Sequence, residues 1–283
     1  MELGKLGVWT SYHAIGEPNA AEAARLVEEL GFGTFWLGGS PRLPTVRPLL
    51  AATGRLAVAT GIVNVWQYEP ATLAAEHAEL TTDFPDRLLL GIGIGHPEAT
   101  TDYERPLATM RSFLDGLDEA PEPVARDERC LAALGPRMLD LCAERSRGAL
   151  PYFVPVAHTR LARERLGPDP LLATEVACVL DDDAERARAT ARTYARLYLN
   201  LRNYTANLRR FGFTDADIAD GGSDRLIDAV VELVPVKTPS ASAVAPVNEM
   251  LALPLTGLFV CVGRLARAVV SEAEVLLAVS LAR

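Results

Sequence analysis

The stretch "RLLLGIGIGH" runs from Arg87 to His96. An apolar run leads into three glycines, Gly91, Gly93 and Gly95, spaced two apart, and ends on a histidine. A dinucleotide fingerprint needs G-x-G-x-x-G opening a helix. Here the glycines alternate strictly and Pro97 follows, so the stretch reads as a strand. Alternating glycines free one strand face of side chains, and a ring or a backbone can come close there. A strand fading into a turn would carry the same letters, so the surrounding pattern has to decide.

Outward from this strand the chain alternates. "KLGVWT" (5–10), "GTFWLGG" (33–39) and "LAVATGIVNVW" (56–66) read as strands before it. "RCLAAL" (129–134), "GALPYFV" (148–154) and "LLATEVACVL" (171–180) read as strands after it. Between them lie helical patterns. In "NAAEAARLVEELG" (19–31), Ala23, Leu26, Val27 and Leu30 share a face, Asn19 offers a cap and Gly31 a stop. Pro70 opens another helix that ends at Pro85. "GPRMLDLCAERSRG" (135–148) has proline near its start and glycine at its end, and "DDAERARATARTYARLYLN" (182–200) is the longest helix. Seven successive strand–helix units predict an α/β fold, a (β/α)8 TIM barrel in one domain over 1–283. Glycines 38, 39, 61, 91, 93, 95 and 135 all fall at the C-terminal strand ends, where such barrels build their sites.

Composition narrows the class. The 283 residues are 49% hydrophobic and 23% charged, with a net charge of −9. That balance fits a large-cored protein and argues against nucleic acid as partner. Cys130, Cys142, Cys178 and Cys261 are scattered without a C-x-x-C pair, so neither a metal site nor a disulfide framework is expected. No apolar run reaches ~18 residues and no signal-like segment opens the chain. The expectation is a cytoplasmic protein that uses no membrane and takes a small-molecule substrate.

Several separated segments carry a resemblance. "LGFGTFWLGGSP", "VATGIVNVWQYEPATLAAEHAEL", "DRLLLGIGIGHPE", "CLAALGPRMLDL" and "NYTANLRRFGFTDADIADGGSDRLIDAVV" together resemble the luciferase-like monooxygenase superfamily, and most its actinobacterial branch of F420-dependent oxidoreductases. The resemblance implies a luciferase-like barrel, usually a homodimer, with coenzyme F420, or alternatively FMN, across the C-terminal mouth. It implies a non-prolyl cis peptide in "TGIVN", between Gly61 and Ile62, forming a bulge behind the ring, with Asn64 pointing at the ring or simply forming a turn. It places the cofactor phosphate on "LGPRM", with Gly135, Pro136, Arg137 and Met138 at a helix N-terminus that attracts anions. Gly38 joins the cofactor-binding set from the second strand end.

His96 is the one titratable group aimed at the mouth and the candidate catalytic acid–base; the alternative is a turn histidine. His13 could line the mouth, His77 reads as a packing residue and His158 as a helix cap. Trp9, Trp36, Trp66 and Tyr68 suggest an apolar or aromatic lining. Relatives with sugar-phosphate activity carry acid and histidine residues where this chain reads "WLGGS", so that chemistry is not expected. The function implied is hydride transfer between the deazaflavin and an organic substrate. The alternatives are an FMN-dependent monooxygenase and a cofactor-binding barrel that has lost catalysis. No strand end offers a His-x-His pair or a carboxylate cluster, which speaks against a metal hydrolase.

The eighth unit departs most. Residues 233–283 contain no aspartate, with four basic and three acidic residues, and read as divergence or a local reading-frame change around 233–259. "LFVCV" (258–262) remains a candidate eighth strand and "RAVVSEAEVLLAVSL" (267–281) a candidate last helix.

Overall fold

A computed structural model describes residues 1–100, 103–234 and 257–262. The first half runs β1 (Leu6–Ser11), α1 (Tyr12–Ile15), α2 (Ala20–Glu29), β2 (Thr34–Gly38), α3 (Arg47–Ala51), β3 (Ala57–Gly61), β4 (Val63–Asn64), α4 (Pro70–Asp83), β5 (Leu88–Gly93) and α5 (Pro106–Asp118). The second half runs β6 (Arg129–Leu131), α6 (Pro136–Arg145), β7 (Gly148–Ala149), α7 (Val156–Leu166), β8 (Leu171–Leu180) and α8 (Ala184–Leu199). After α8 come α9 (Arg202–Arg210), α10 (Asp215–Ile218), α11 (Asp224–Val230), β9 (Val231–Val234) and β10 (Gly257–Val262).

Among the described residues every strand pairing is parallel, and the ring closes. β10 pairs with β1 along Leu6↔Leu258 to Trp9↔Cys261, and with β8 along Ala173↔Gly257 to Cys178↔Val262. The candidate eighth strand therefore takes the eighth place despite its divergent surroundings. The candidate helix at 267–281 lies outside the described residues. Among the described residues no helix is long and apolar enough to cross a membrane.

Period-two alternation sorts the side chains into two layers. On β5, Leu88, Leu90 and Ile92 face outward, into a layer shared with Leu73 and Leu80 of α4, Leu114 of α5 and Leu139 of α6. Leu89 faces inward, with Trp36, Ala57, Ala59, Cys130, Leu171 and Ala173 filling the barrel. A third cluster gathers Phe153, Ala177, Tyr204, Leu208, Leu226 and Val231, where β8, α8, α9, α11 and β9 meet. β9 has no counterpart in the alternation read from sequence. It forms because β8 extends far enough for Ala177–Leu180 to pair with Val231–Val234.

Local predictions differ from the structure where a cap or a proline intervenes. Asn19 precedes α2, but its side chain donates to Ile15 O and makes no cap bond. The buried face of α2 is Ala20, Ala24 and Val27, rotated from the expected one. The sixth strand is only Gly148–Ala149, since Pro151 has no N–H to continue it. The third strand breaks after Gly61, for the reason given next.

Candidate functional site at the barrel mouth

The Gly61–Ile62 peptide is cis. It separates β3 from β4 and shifts the pairing with β5 by one residue: Ala59 faces Leu89 below the break, whereas Val63 faces Ile92 above it. That is a β-bulge, and it swaps inward and outward positions. Ile62 packs with the barrel-filling cluster and Val63 with the outer layer.

The glycine alternation of β5 answers this bulge. A Cβ on Gly91 would lie 1.8 Å from Thr60 O, and the Thr60 hydroxyl donates to Gly91 O at 2.8 Å. A Cβ on Gly93 would lie 2.7 Å from Ile62 Cγ1. Gly95 has φ +67° and sits against the Asn64 amide, 3.0 Å from the place a Cβ would take. The three glycines thus receive Thr60, Ile62 and Asn64 in turn. Close approach is what they serve, and the approaching group is the neighbouring strand.

Gly38 and Gly61 are occupied in the same manner. A Cβ on Gly38 would lie 1.9 Å from Trp9 Cζ2, and one on Gly61 2.6 Å from Trp9 Nε1. The Trp9 indole lies across both glycines. Gly38 therefore supports the mouth through Trp9, whose ring takes the space its bare face leaves. Asn64 is a turn former, its Oδ1 accepting from Trp66 N at 3.1 Å. Trp66 Nε1 donates to Ile94 O, tying this turn to the end of β5. Trp36 is buried inside the barrel and Tyr68 in the outer layer, where its hydroxyl accepts from Leu43 N and donates to Glu76, so neither lines the mouth.

His96 stands half-buried beyond β5. Its Nδ1 is 2.9 Å from Asn203 Oδ1 on α9, and its ring packs 5.2 Å from that of Tyr204. With the amide oxygen accepting, the proton sits on Nδ1 and Nε2 keeps its lone pair. Two residues on, Glu98 accepts from Arg202 N at 3.0 Å, the first amide of α9. That bond leads the influences that lower the Glu98 pKa. The loop after β5 and the start of α9 are thus joined twice.

The other end of α9 reaches the loop after β6. Gly135 is the N-cap of α6, with Pro136 at the first helical position. The Arg137 amide follows, with no intrahelical acceptor by its position. Arg137 itself is exposed and Met138 is partly buried against the outer core. The Arg210 guanidinium faces this helix start, 3.6 Å from where a Gly135 Cβ would stand. Arg210 enters no ion pair among the described residues.

His158 holds the same loop from below. It is the third residue of α7, fully buried, so it is no cap. Its Nε2 lies 2.9 Å from Leu134 O, and Phe211 packs on its ring. Burial, with help from Arg210, lowers its pKa to about 4, and the Leu134 carbonyl opposes this. The neutral ring therefore donates from Nε2 to Leu134 O and leaves Nδ1 unpartnered among the described residues.

Asn203, Asn207 and Arg210 are spaced i, i+4 and i+7, one stripe of α9. Asn207 is 1% exposed, and neither of its amide atoms has a partner among the described residues. Sequence reasoning missed all three. The signal was the polar spacing in "NYTANLRR", on a helix whose Tyr204 and Leu208 face the core.

An aromatic group fills the remaining side of the mouth. Tyr152 packs 5.0 Å from Trp9 and 5.2 Å from Tyr198, ring to ring. The Tyr194 hydroxyl lies 3.0 Å from that of Tyr152 and donates to the buried carboxylate of Glu175, which also accepts from Phe153 N. Among the described residues no cluster of His, Cys, Asp and Glu could hold a metal ion.

Residues 3–120 match the family model described as luciferase-like monooxygenase. They span β1 to α5 and contain the cis bulge and His96. Among similar solved structures is an F420-dependent secondary alcohol dehydrogenase in complex with an F420–acetone adduct. It is 12% identical with a TM-score of 0.74, and 100% of each chain is covered. Another is the coenzyme F420-dependent tetrahydromethanopterin reductase of Methanopyrus kandleri, 16% identical, TM-score 0.74, with 98% of each chain covered. A third is a type II Baeyer–Villiger monooxygenase of Pseudomonas putida in complex with FMN. It is 14% identical with a TM-score of 0.61, and 98% of this chain and 95% of that chain are covered.

Proposed function

We propose that this chain, luciferase-like over residues 3–120, is an oxidoreductase that binds coenzyme F420 across its barrel mouth and acts on a small organic substrate. The observation that carries this reading is the pairing of a strand bulge after Gly61 with an anion cradle at Gly135 and Arg210, both at C-terminal strand ends. A flat ring with a phosphate tail needs both features. The orphaned amide of Asn207, one turn before Arg210 on α9, fits a ligand that brings its own polar groups.

When bound, the deazaflavin supplies the carbon that gives or takes a hydride. The chain supplies the rest. The bulge, with Trp9 against Gly61 and Ile62 against Gly93, would seat the ring. The N–H groups at the start of α6 and the Arg210 guanidinium hold the phosphate, and Arg137 adds positive charge nearby. Trp9, Tyr152 and Tyr204 keep water from the reacting face. His96 Nε2, oriented through the Asn203 bond, exchanges a proton with a substrate oxygen. No side-chain nucleophile is used.

The second reading is a monooxygenase that binds FMN in the same place, favoured by the likeness to the FMN-bound Baeyer–Villiger enzyme. Fluorescence titration with F420 and with FMN separates the two, followed by oxygen uptake with each reduced cofactor. Saturable binding of F420 with no oxygen consumption supports the first reading. Binding of neither cofactor sinks both.

A further inference from the structure

We infer that Asn207 binds the polyhydroxylated chain that separates ring from phosphate in F420 and in FMN alike. The inference rests on the reading just given. Three observations carry it. The Asn207 side chain is buried, yet its oxygen and nitrogen are both unpartnered among the described residues. Buried amides are nearly always satisfied, so a missing group is to be expected at such a place. The helix stripe puts Asn207 between Asn203, bonded to His96, and Arg210, facing Gly135. A ligand that spans from His96 to the start of α6 runs along this stripe. The chemistry also matches: an amide offers one acceptor and two donor hydrogens, and a hydroxyl chain offers both donors and lone pairs.

A buried water is the competing occupant. His158 Nδ1 and Thr159 Oγ1 are unpartnered as well, and Phe211, one turn after Asn207, packs on His158. A water bridging those atoms would make Asn207 structural.

The test compares ligands with and without phosphate. Asn207→Leu and Arg210→Gln are titrated by fluorescence with FMN and riboflavin, and with F420 and its phosphate-free ribityl chromophore. Asn207→Leu is expected to weaken both members of a pair about tenfold, ~1.4 kcal/mol. Arg210→Gln is expected to weaken only the phosphorylated member. The cofactor-free melting temperature of Asn207→Leu should stay at the parent value. If the leucine variant does not fold, Asn207→Ser is titrated in its place, with a loss in the same direction. Affinity within twofold of the parent overturns the inference, as does a loss confined to the phosphorylated ligand. Lower stability with unchanged affinity does so too, and assigns the site to water. A parent protein that binds none of the four ligands overturns the proposed function, and this inference with it. Normal parent binding with indifferent Asn207 variants overturns the inference alone.

Discussion

The two sides of the barrel mouth are built on opposite principles. On the β1–β5 side of the mouth the protein itself fills the bare faces of five glycines: Trp9 covers Gly38 and Gly61, and Thr60, Ile62 and Asn64 meet Gly91, Gly93 and Gly95. Between the loop after β6 and α9 the reverse holds. Gly135 faces only an arginine, and Asn207, His158 and Thr159 keep unpartnered polar atoms among the described residues. Glycine makes room on both sides, but among the described residues the second side sets unpartnered polar atoms on the elements next to that room, whereas the His77 Nε2 of the first side lies in the outer layer. A ligand-facing surface is marked by unanswered polarity, and missing side chains alone do not mark one.

The same substitution made on each side breaks or sharpens this contrast. Gly91→Ala has the largest expected effect. Its Cβ would meet a backbone oxygen at 1.8 Å, between strands locked by the Thr60 hydroxyl, so neither strand can give way. We expect loss of the folded state or destabilisation beyond ~4 kcal/mol, read by urea denaturation. A variant of parental stability would mean that the bulge does not hold the two strands this close.

His96→Ala comes next. His96 joins the two sides, since it leaves β5 and bonds to α9. Cofactor affinity should stay near the parent value, because the phosphate is held elsewhere. Turnover should fall ~10²–10⁴-fold, the usual worth of general acid–base assistance. Asn203→Ala, which frees the ring without removing it, should lower turnover less and shift its pH profile. Parental turnover in a folded His96→Ala protein would return the residue to a turn former.

Gly135→Ala is the counterpart of Gly91→Ala. Its φ of −90° suits any residue, and the new methyl would stand an ordinary 3.6 Å from Arg210. The protein should fold with unchanged stability. The methyl would, however, lie between the helix start and the guanidinium, where the phosphate is proposed to sit. Affinity for phosphorylated cofactor should drop about tenfold, ~1.4 kcal/mol, with riboflavin unaffected. Unchanged affinity for FMN and F420 would move the anion site away from α6.

Much of the barrel was legible because its strands and helices carry different periods. The short apolar run from Leu88 to Ile92, the proline that opens α4 and the Gly135–Pro136 start of α6 are local signals. The cis bond between Gly61 and Ile62 follows from the family resemblance, and the structure contains it. Its consequence was not legible. A one-residue slip in register reverses which side chains face inward, and period-two reading assigns Val63 to the wrong layer. The α9 half of the site was hidden for a related reason. Asn203, Asn207 and Arg210 read as an ordinary solvated face until the fold lays that helix beside the ends of β5 and β6. Glycines looked like ligand space because a sequence does not show what approaches them.

The smallest expected effect separates two buried histidines that acid should treat alike. Burial lowers the pKa of His77 on α4 and of His158 on α7 to about 4 each. The unfolded chain takes up a proton near pH 6.5 and the folded chain only near 4. Each histidine therefore leaves stability intact above pH 6.5 and erodes it as pH falls from 6.5 toward 4. Glu232 acts in the opposite direction, since burial and Asp228 raise its pKa to about 7. It favours the folded state at acid pH and loses that contribution as pH rises from 4.5 through 7. Comparing each variant with the parent at the same pH removes the Glu232 contribution, provided the sites do not interact. His77→Leu should gain about 1 kcal/mol on the parent between pH 7 and pH 5.5, read from urea midpoints. Its effect on cofactor binding should be nil, because α4 packs on the filled side. His158→Gln should show a similar acid gain but weaken binding, because the amide cannot hold both Leu134 O and the packing of Phe211 in the imidazole's geometry. Equal binding by the two variants would erase the difference between the sides at the level of the histidines that support them.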